Sequence, residues 1–304
     1  GGKLPMSKYL IINCDDFGQC AAANRAIIHL LEAGKVSSAT VMPPAPGFEE
    51  AAEWCRKQRE PKVGLHLTLT SEFAEWRWRG LTGAASLHDG SGFLHMTVED
   101  VEKKAATRDV RAEIRAQFEA VRKAGVNITH VDNHMGSLYG LATGRSHLPY
   151  VFWQCSKRGL PFRVPRYVHA KDRFLASIPD AQARLRKVSA LADALGVAIP
   201  DYLLSHPYGV QEGETYASFK QSIIEKLYDL PEGVSETYIH PADDDADMRR
   251  MIPHWEKRVW EYRLMLDDDM AYALRDAKVT LTDYRFLKEY RKPSRWSGAW
   301  RLFR

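Results

Sequence analysis

Lys8-Tyr9-Leu10-Ile11-Ile12-Asn13-Cys14-Asp15-Asp16-Phe17-Gly18 is the stretch on which the fold turns. Lys8–Cys14 is a short β-branched apolar run, which predicts a buried strand. It stops abruptly at two acids. A helical pattern then runs over Ala22–Leu31, with Gly34 at a helix-ending position. Working outward, the same strand, loop, helix order recurs. Further strands are predicted at Ser38–Met42, Lys62–Leu67, Asn127–Val131, Phe162–Val164, Tyr202–Leu204, Val234–His240 and Val279–Thr282. Amphipathic helices are predicted between most of them, at Val110–Lys123, Pro149–Lys157, Gln182–Leu195, Tyr216–Leu230 and Pro253–Leu274. Eight strands alternating with helices in about 300 residues predict an α/β fold, a (β/α) TIM-like barrel with parallel strands. An open doubly wound sheet is the alternative.

Composition agrees with one compact unit: 304 residues, 45% hydrophobic and 27% charged, with no repeat or low-complexity tract. Residues 1–7 read as a disordered or tag-derived lead-in, 8–283 as a single barrel, and 284–304 as a basic, aromatic C-terminal extension. Apolar runs are strand-sized, so no membrane span is expected. Four cysteines without a CxxC pair suggest neither a disulfide framework nor a cysteine zinc site, which makes a cytoplasmic setting the default; a leader removed upstream is also allowed. The net charge of +4 conceals an asymmetry. Arg285 to Arg304 holds seven basic residues and one acid, +6, leaving −2 for the rest. Phe286, Tyr290, Trp296, Trp300 and Phe303 lie among these cations, an interleaving found in single-strand binders. The favoured reading is instead a docked extension whose aromatics cover the barrel and whose cations face solvent. Nucleic acid is therefore not an expected partner, and a homodimer is allowed.

In a barrel of this kind the chemistry sits at the C-terminal strand ends. Those ends carry Asp15-Asp16, then His66, then His130-Val131-Asp132-Asn133-His134, then His240-Pro241. Alternation along a strand turns adjacent side chains in different directions, so two neighbouring acids suit two jobs, one on a metal and one on protons. A helix cap is the plain reading of an isolated Asp pair. His66, within Val63–Leu69, taken alone reads as a buried core imidazole. Beyond the fourth strand His134 is preferred over His130, which reads as structural. One Asp and two His give a ligand set with open positions, as a hydrolytic metal requires, and imidazoles favour Zn²⁺, with Mg²⁺ also allowed. Non-haem iron oxygenases use the same set. The spare acid of the pair and His240 tilt the choice towards hydrolysis.

Asn13–Gly18, Gly64–Thr70, Thr129–His134 and Glu236–Pro241, in this order and spacing, resemble the YdjC-like carbohydrate deacetylases, the family of the chitooligosaccharide and hopanoid-linked N-acetylglucosamine deacetylases, over about residues 8–282. The resemblance implies a distorted (β/α) barrel and metal-dependent removal of acetyl from an N-acetylated sugar or oligosaccharide. Carried over, it makes Asp16, His66 and His134 the metal ligands, Asp15 the general base and His240 the general acid. Another amide hydrolase or an iron oxygenase is the alternative. Two departures stand out: Met135-Gly136-Ser137-Leu138-Tyr139 replaces the extra histidines that usually follow the third ligand, and Ala242 follows Pro241 where Gly is usual. Trp76, in the long loop 68–96, and Arg163 and Arg166, at the end of the fifth strand, are candidate sugar-binding residues.

Overall fold

The computed structural model describes residues 7–304, so the reading of residues 1–6 lies outside the described residues. Among the described residues there are seven strands: β1 (Lys8–Phe17), β2 (Ser38–Val41), β3 (Val63–Leu67), β4 (Val131–Asn133), β5 (Tyr202–Leu204), β6 (Gly233–Ile239) and β7 (Val279–Leu281). All pairings are parallel, in the order β4-β3-β2-β1-β6-β5. The sheet curls into a half-barrel surrounded by helices, the α/β barrel-like fold that the sequence predicts.

β1 organises the sheet. One edge pairs with β6 from Lys8 to Cys14, while the other is shared, Lys8–Leu10 with β7 and Asn13–Phe17 with β2. From Leu10 onward every residue of β1 is buried, as a strand covered on both faces must be. Its apolar side chains pack with those of Val41, Val63 and Leu65 into the main core.

Three predicted elements differ. The fourth strand, predicted at Asn127–Val131, is Val131–Asn133. Phe162–Val164 is not a ladder strand but a single bridge, Phe162 to Val131. The flanking Pro161 and Pro165 offer no N–H, so pairing cannot extend beyond a few bonds. The long helix predicted over Pro253–Leu274 is two, Trp255–Leu266 and Asp268–Asp276. Asp267 between them is extended and its carboxylate accepts from the Asp269 amide at 2.9 Å, capping the second helix. The loop after β3 is tied down rather than free: Trp78 Nε1 donates to Thr70 O at 2.9 Å, and Arg77 binds Asp89 and Leu94 O.

The C-terminal extension forms two helices, Tyr284–Tyr290 and Arg295–Leu302. Tyr284 is buried. Gly298 lies so close to the helix Ala181–Ala194 that a Cβ there would collide with the backbone of Ala190 and Ala194. In the second helix the expected arrangement is inverted. Arg301 reaches the buried Asp193, while Trp296, Trp300 and Phe303 are 77%, 49% and 91% exposed.

Candidate active site

β1 does not end as a regular strand. Cys14 pairs with Ala39 and Phe17 with Val41, so three steps on β1 face two on β2. This is a bulge, and Asp16 occupies it with φ of 66°, a left-handed conformation that Asp tolerates better than most residues. Simple alternation would part the two acids. The bulge instead turns both Asp15 and Asp16 into one cleft of about 530 Å³, shared with His66, His134, His240 and Arg163.

Asp16 Oδ1 stands 3.3 Å from His66 Nε2 and 3.2 Å from His134 Nδ1, and the two nitrogens are 3.3 Å apart. All three side chains are buried. Each imidazole is held from behind by a carboxylate: His66 Nδ1 contacts Asp132 Oδ1 at 2.6 Å, and His134 Nε2 contacts Glu72 Oε2 at 2.8 Å. These partners fix which nitrogen faces inward, as carboxylates behind metal-binding histidines do. Neither carboxylate oxygen of Asp16 makes a well-aligned hydrogen bond among the described residues. Carboxylate and imidazole donors converging on one point could hold a metal ion.

The charge balance supports the same fit. Burial works against charge throughout. Yet the close approach of His134 and His66, with the charge of Arg258, holds Asp16 well below the usual carboxylate range. Burial likewise opposes protonation of His66, but the Asp132 carboxylate pushes it up to about 10; Glu72 acts on His134 in the same way, raising it to about 9. The cluster is short of positive charge, and protons or a metal cation compete for the same nitrogen lone pairs. Asp15, His66 and Asp132 also lie close together, but Arg163 already binds both of those carboxylates. That second grouping has its cation.

Asp15 is gripped by Arg163, with Nη1 to Oδ2 at 2.9 Å and Nη2 to Oδ1 at 2.5 Å, and by Asn13 Nδ2 at 2.8 Å. His240 Nε2 lies 3.8 Å from Asp15 Oδ2. Burial lowers the pKa of His240, and its Nδ1 has no partner among the described residues. Its backbone amide donates to Glu261 Oε2 at 3.0 Å, which fixes the strand end.

The other candidates are placed differently. Arg163 also donates from Nε to Glu236 Oε2 at 2.7 Å, so its guanidinium is engaged by carboxylates of the protein itself. Arg166 forms a two-pronged pair with Asp193, at 2.8 and 2.9 Å, and Trp76 donates from Nε1 to Gln19 O at 2.8 Å; neither lines the cleft. His130 is buried behind the site, stacked on Tyr284 with centroids 4.2 Å apart, and bonded to Asn13 Oδ1 at 3.0 Å. A Cβ on Gly64 would collide with His130, which explains glycine there.

Residues 9–276 match the model of the YdjC-like proteins. The chain belongs to the YdjC-like family. Relatives include proteins named carbohydrate deacetylase from Brevibacillus brevis, 26% identical over 90% of this chain and 98% of that one, and from Geobacillus stearothermophilus, 27% identical over 92% and 98%. A crystal structure of an Enterococcus faecalis protein, provisionally named for cellobiose-phosphate cleavage, superposes with a TM-score of 0.72 at 25% identity, covering 92% of this chain and 99% of that one.

Several site residues of this YdjC-like chain escape a reading of strand ends. Glu72 sits five residues past β3, in a loop. Arg258 comes from the helix Trp255–Leu266, where it looks like one more helical cation; it is buried, 3.2 Å from Asp16 Oδ2 and 2.7 Å from Tyr208 Oη. Asp132 lay inside a quoted motif but without a role. Met135, Gly136 and Tyr139 line the cleft, and its outer wall continues through Phe174, Ile178, Leu185 and Val188.

Proposed function

We propose that this chain is a metal-dependent deacetylase that hydrolyses the acetamido group of an N-acetylated sugar or oligosaccharide, giving acetate and the free amine. The observation that carries this reading is the convergence of Asp16, His66 and His134 within 3.2 to 3.3 Å, beside an Asp15–His240 pair 3.8 Å apart. The names of the relatives supply the substrate class.

Asp16, His66 and His134 would hold the cation. The chemistry such a cation supplies when bound is a Lewis acid for the acetyl carbonyl and a water whose pKa falls towards about 7. The chain's own residues do the rest. Asp132 and Glu72 keep the two imidazoles turned inward. Arg163 and Asn13 hold Asp15 in one orientation, so that it takes the proton from the attacking water. His240 Nε2, 3.8 Å from Asp15 Oδ2, would take up that proton on a closer approach or through a water and deliver it to the nitrogen as the C–N bond breaks; an amide nitrogen leaves poorly without one. The low pKa of His240 suits a group that passes a proton on rather than keeping it. In this scheme Arg163 positions the base and does not bind sugar.

The test is acetate release from N-acetylated mono-, di- and oligosaccharides by enzyme reconstituted separately with Zn²⁺, Mg²⁺, Co²⁺ and Ni²⁺. Turnover is expected with at least one metal, without oxygen uptake, and should fall by about 10²–10⁴ in Asp15→Asn and in His240→Ala. Full turnover in either variant with metal bound would remove that residue from the scheme; oxygen uptake without acetate would replace hydrolysis by oxygen chemistry.

A further inference from the structure

The helix Arg295–Leu302 is fixed by its polar side. Gly298 lies on the helix Ala181–Ala194, and Arg301 reaches Asp193, which is buried and also bound by Arg166. What faces out is a ridge: Trp296, Trp300 and Phe303, spaced by four and three residues, on one side of the helix. Three large aromatic rings held together in water by a firmly seated helix form a partner surface, unlike apolar residues scattered singly.

The charge around the ridge selects the partner. Arg304 lies over the Trp300 ring at 4.3 Å, Arg295 opens the same helix, and Lys292, paired with Glu289 at 3.3 Å, shortly precedes it. The neighbouring helix adds the exposed Arg186 and Lys187. We propose that this face docks on the headgroup layer of an anionic membrane, rings inserted and cations on the lipid phosphates. Tryptophan and phenylalanine flanked by Lys and Arg are the composition of helices that lie in that layer. A second copy would bring one strongly basic face against another, which like-charge repulsion opposes. Single-stranded nucleic acid is bound by stacking bases in a groove that follows the backbone, whereas these rings project from a convex helix.

The full chain is mixed with vesicles of phosphatidylcholine alone or with phosphatidylglycerol, and binding is read by co-sedimentation. Binding is expected only with phosphatidylglycerol, weakening as salt is added. Trp296→Ser, Trp300→Ser and Phe303→Ser combined should reduce it by at least about tenfold. Lys292→Gln and Arg304→Gln should cost about fivefold each. The charge variants leave the rings in place and decide the matter should the triple variant fail to fold. Four results would overturn the proposal: no binding to either vesicle, equal binding by wild type and variants, a lipid-free dimer that the triple variant dissociates, or salt-sensitive binding to single-stranded oligonucleotides without binding to vesicles.

Discussion

The barrel rim and the C-terminal extension both set arginines against buried carboxylates, but with opposite geometry. At the rim, Arg163 is enclosed by Asp15, Asp132 and Glu236, and its plane also covers the Tyr238 ring at 4.5 Å. Everything polar there converges inward. In the extension, Arg291 and Arg301 reach in to single buried acids, Asp201 and Asp193, and Trp296, Trp300 and Phe303 turn outward. The difference teaches where a guanidinium organises and where it only fastens. Three carboxylates around one cation depend on it; one carboxylate with a second arginine in reserve does not.

The largest test of this contrast is Arg163→Ala. Three buried carboxylates would lose their shared cation, and stability should fall by about 3–5 kcal/mol in urea unfolding. A loss near zero would mean that Arg163 fastens no more than a surface residue does. Next is the acid response of the rim. Burial drops the pKa of His130 from 6.5 to about 4. The unfolded chain therefore binds a proton in that window that the folded chain refuses, so stability is full above pH 6.5 and declines as pH falls towards 4. The decline amounts to about 3 kcal/mol, and His130→Gln should flatten it in unfolding curves measured across that range. An unchanged slope would assign the acid sensitivity elsewhere. Third, Gly298→Ala should cost about 1–3 kcal/mol by forcing a methyl group into the backbone of Ala190 and Ala194. Limited proteolysis should then cut after residue 290 faster, with acetate release retained; wild-type resistance would mean that the helix is not seated as described. The smallest effect belongs to Trp296→Ser, within about 0.5 kcal/mol of wild type, because the ring is 77% exposed. A larger loss would turn the ridge into packing.

The site was legible to the extent that its chemistry sits on strand ends. His66, His134, His240 and one acid of the pair occupy positions that parallel strands bring to one rim, whereas both acids reach it only through the bulge at Asp16. Glu72 and Arg258 were not legible, because a loop acid and a helical arginine carry no periodic mark; only tertiary packing turns them inward. The fold was read correctly in kind, and it failed locally where Pro161 and Pro165 limit pairing around Phe162 and where Asp267 caps a new helix. The extension misled for a different reason. Composition counts cations and rings but does not say which side of a short helix a buried acid such as Asp193 will claim.

The bulge at Asp16 has a mechanical meaning as well. In the proposed scheme the proton acceptor and the metal ligand would be consecutive residues on one bulge, so a single stretch of backbone would set their separation. His66, His134 and His240 stand on three other segments. A shift of any one of those segments would change how tightly its imidazole closes around the paired acids, while the spacing of the two acids themselves would not change.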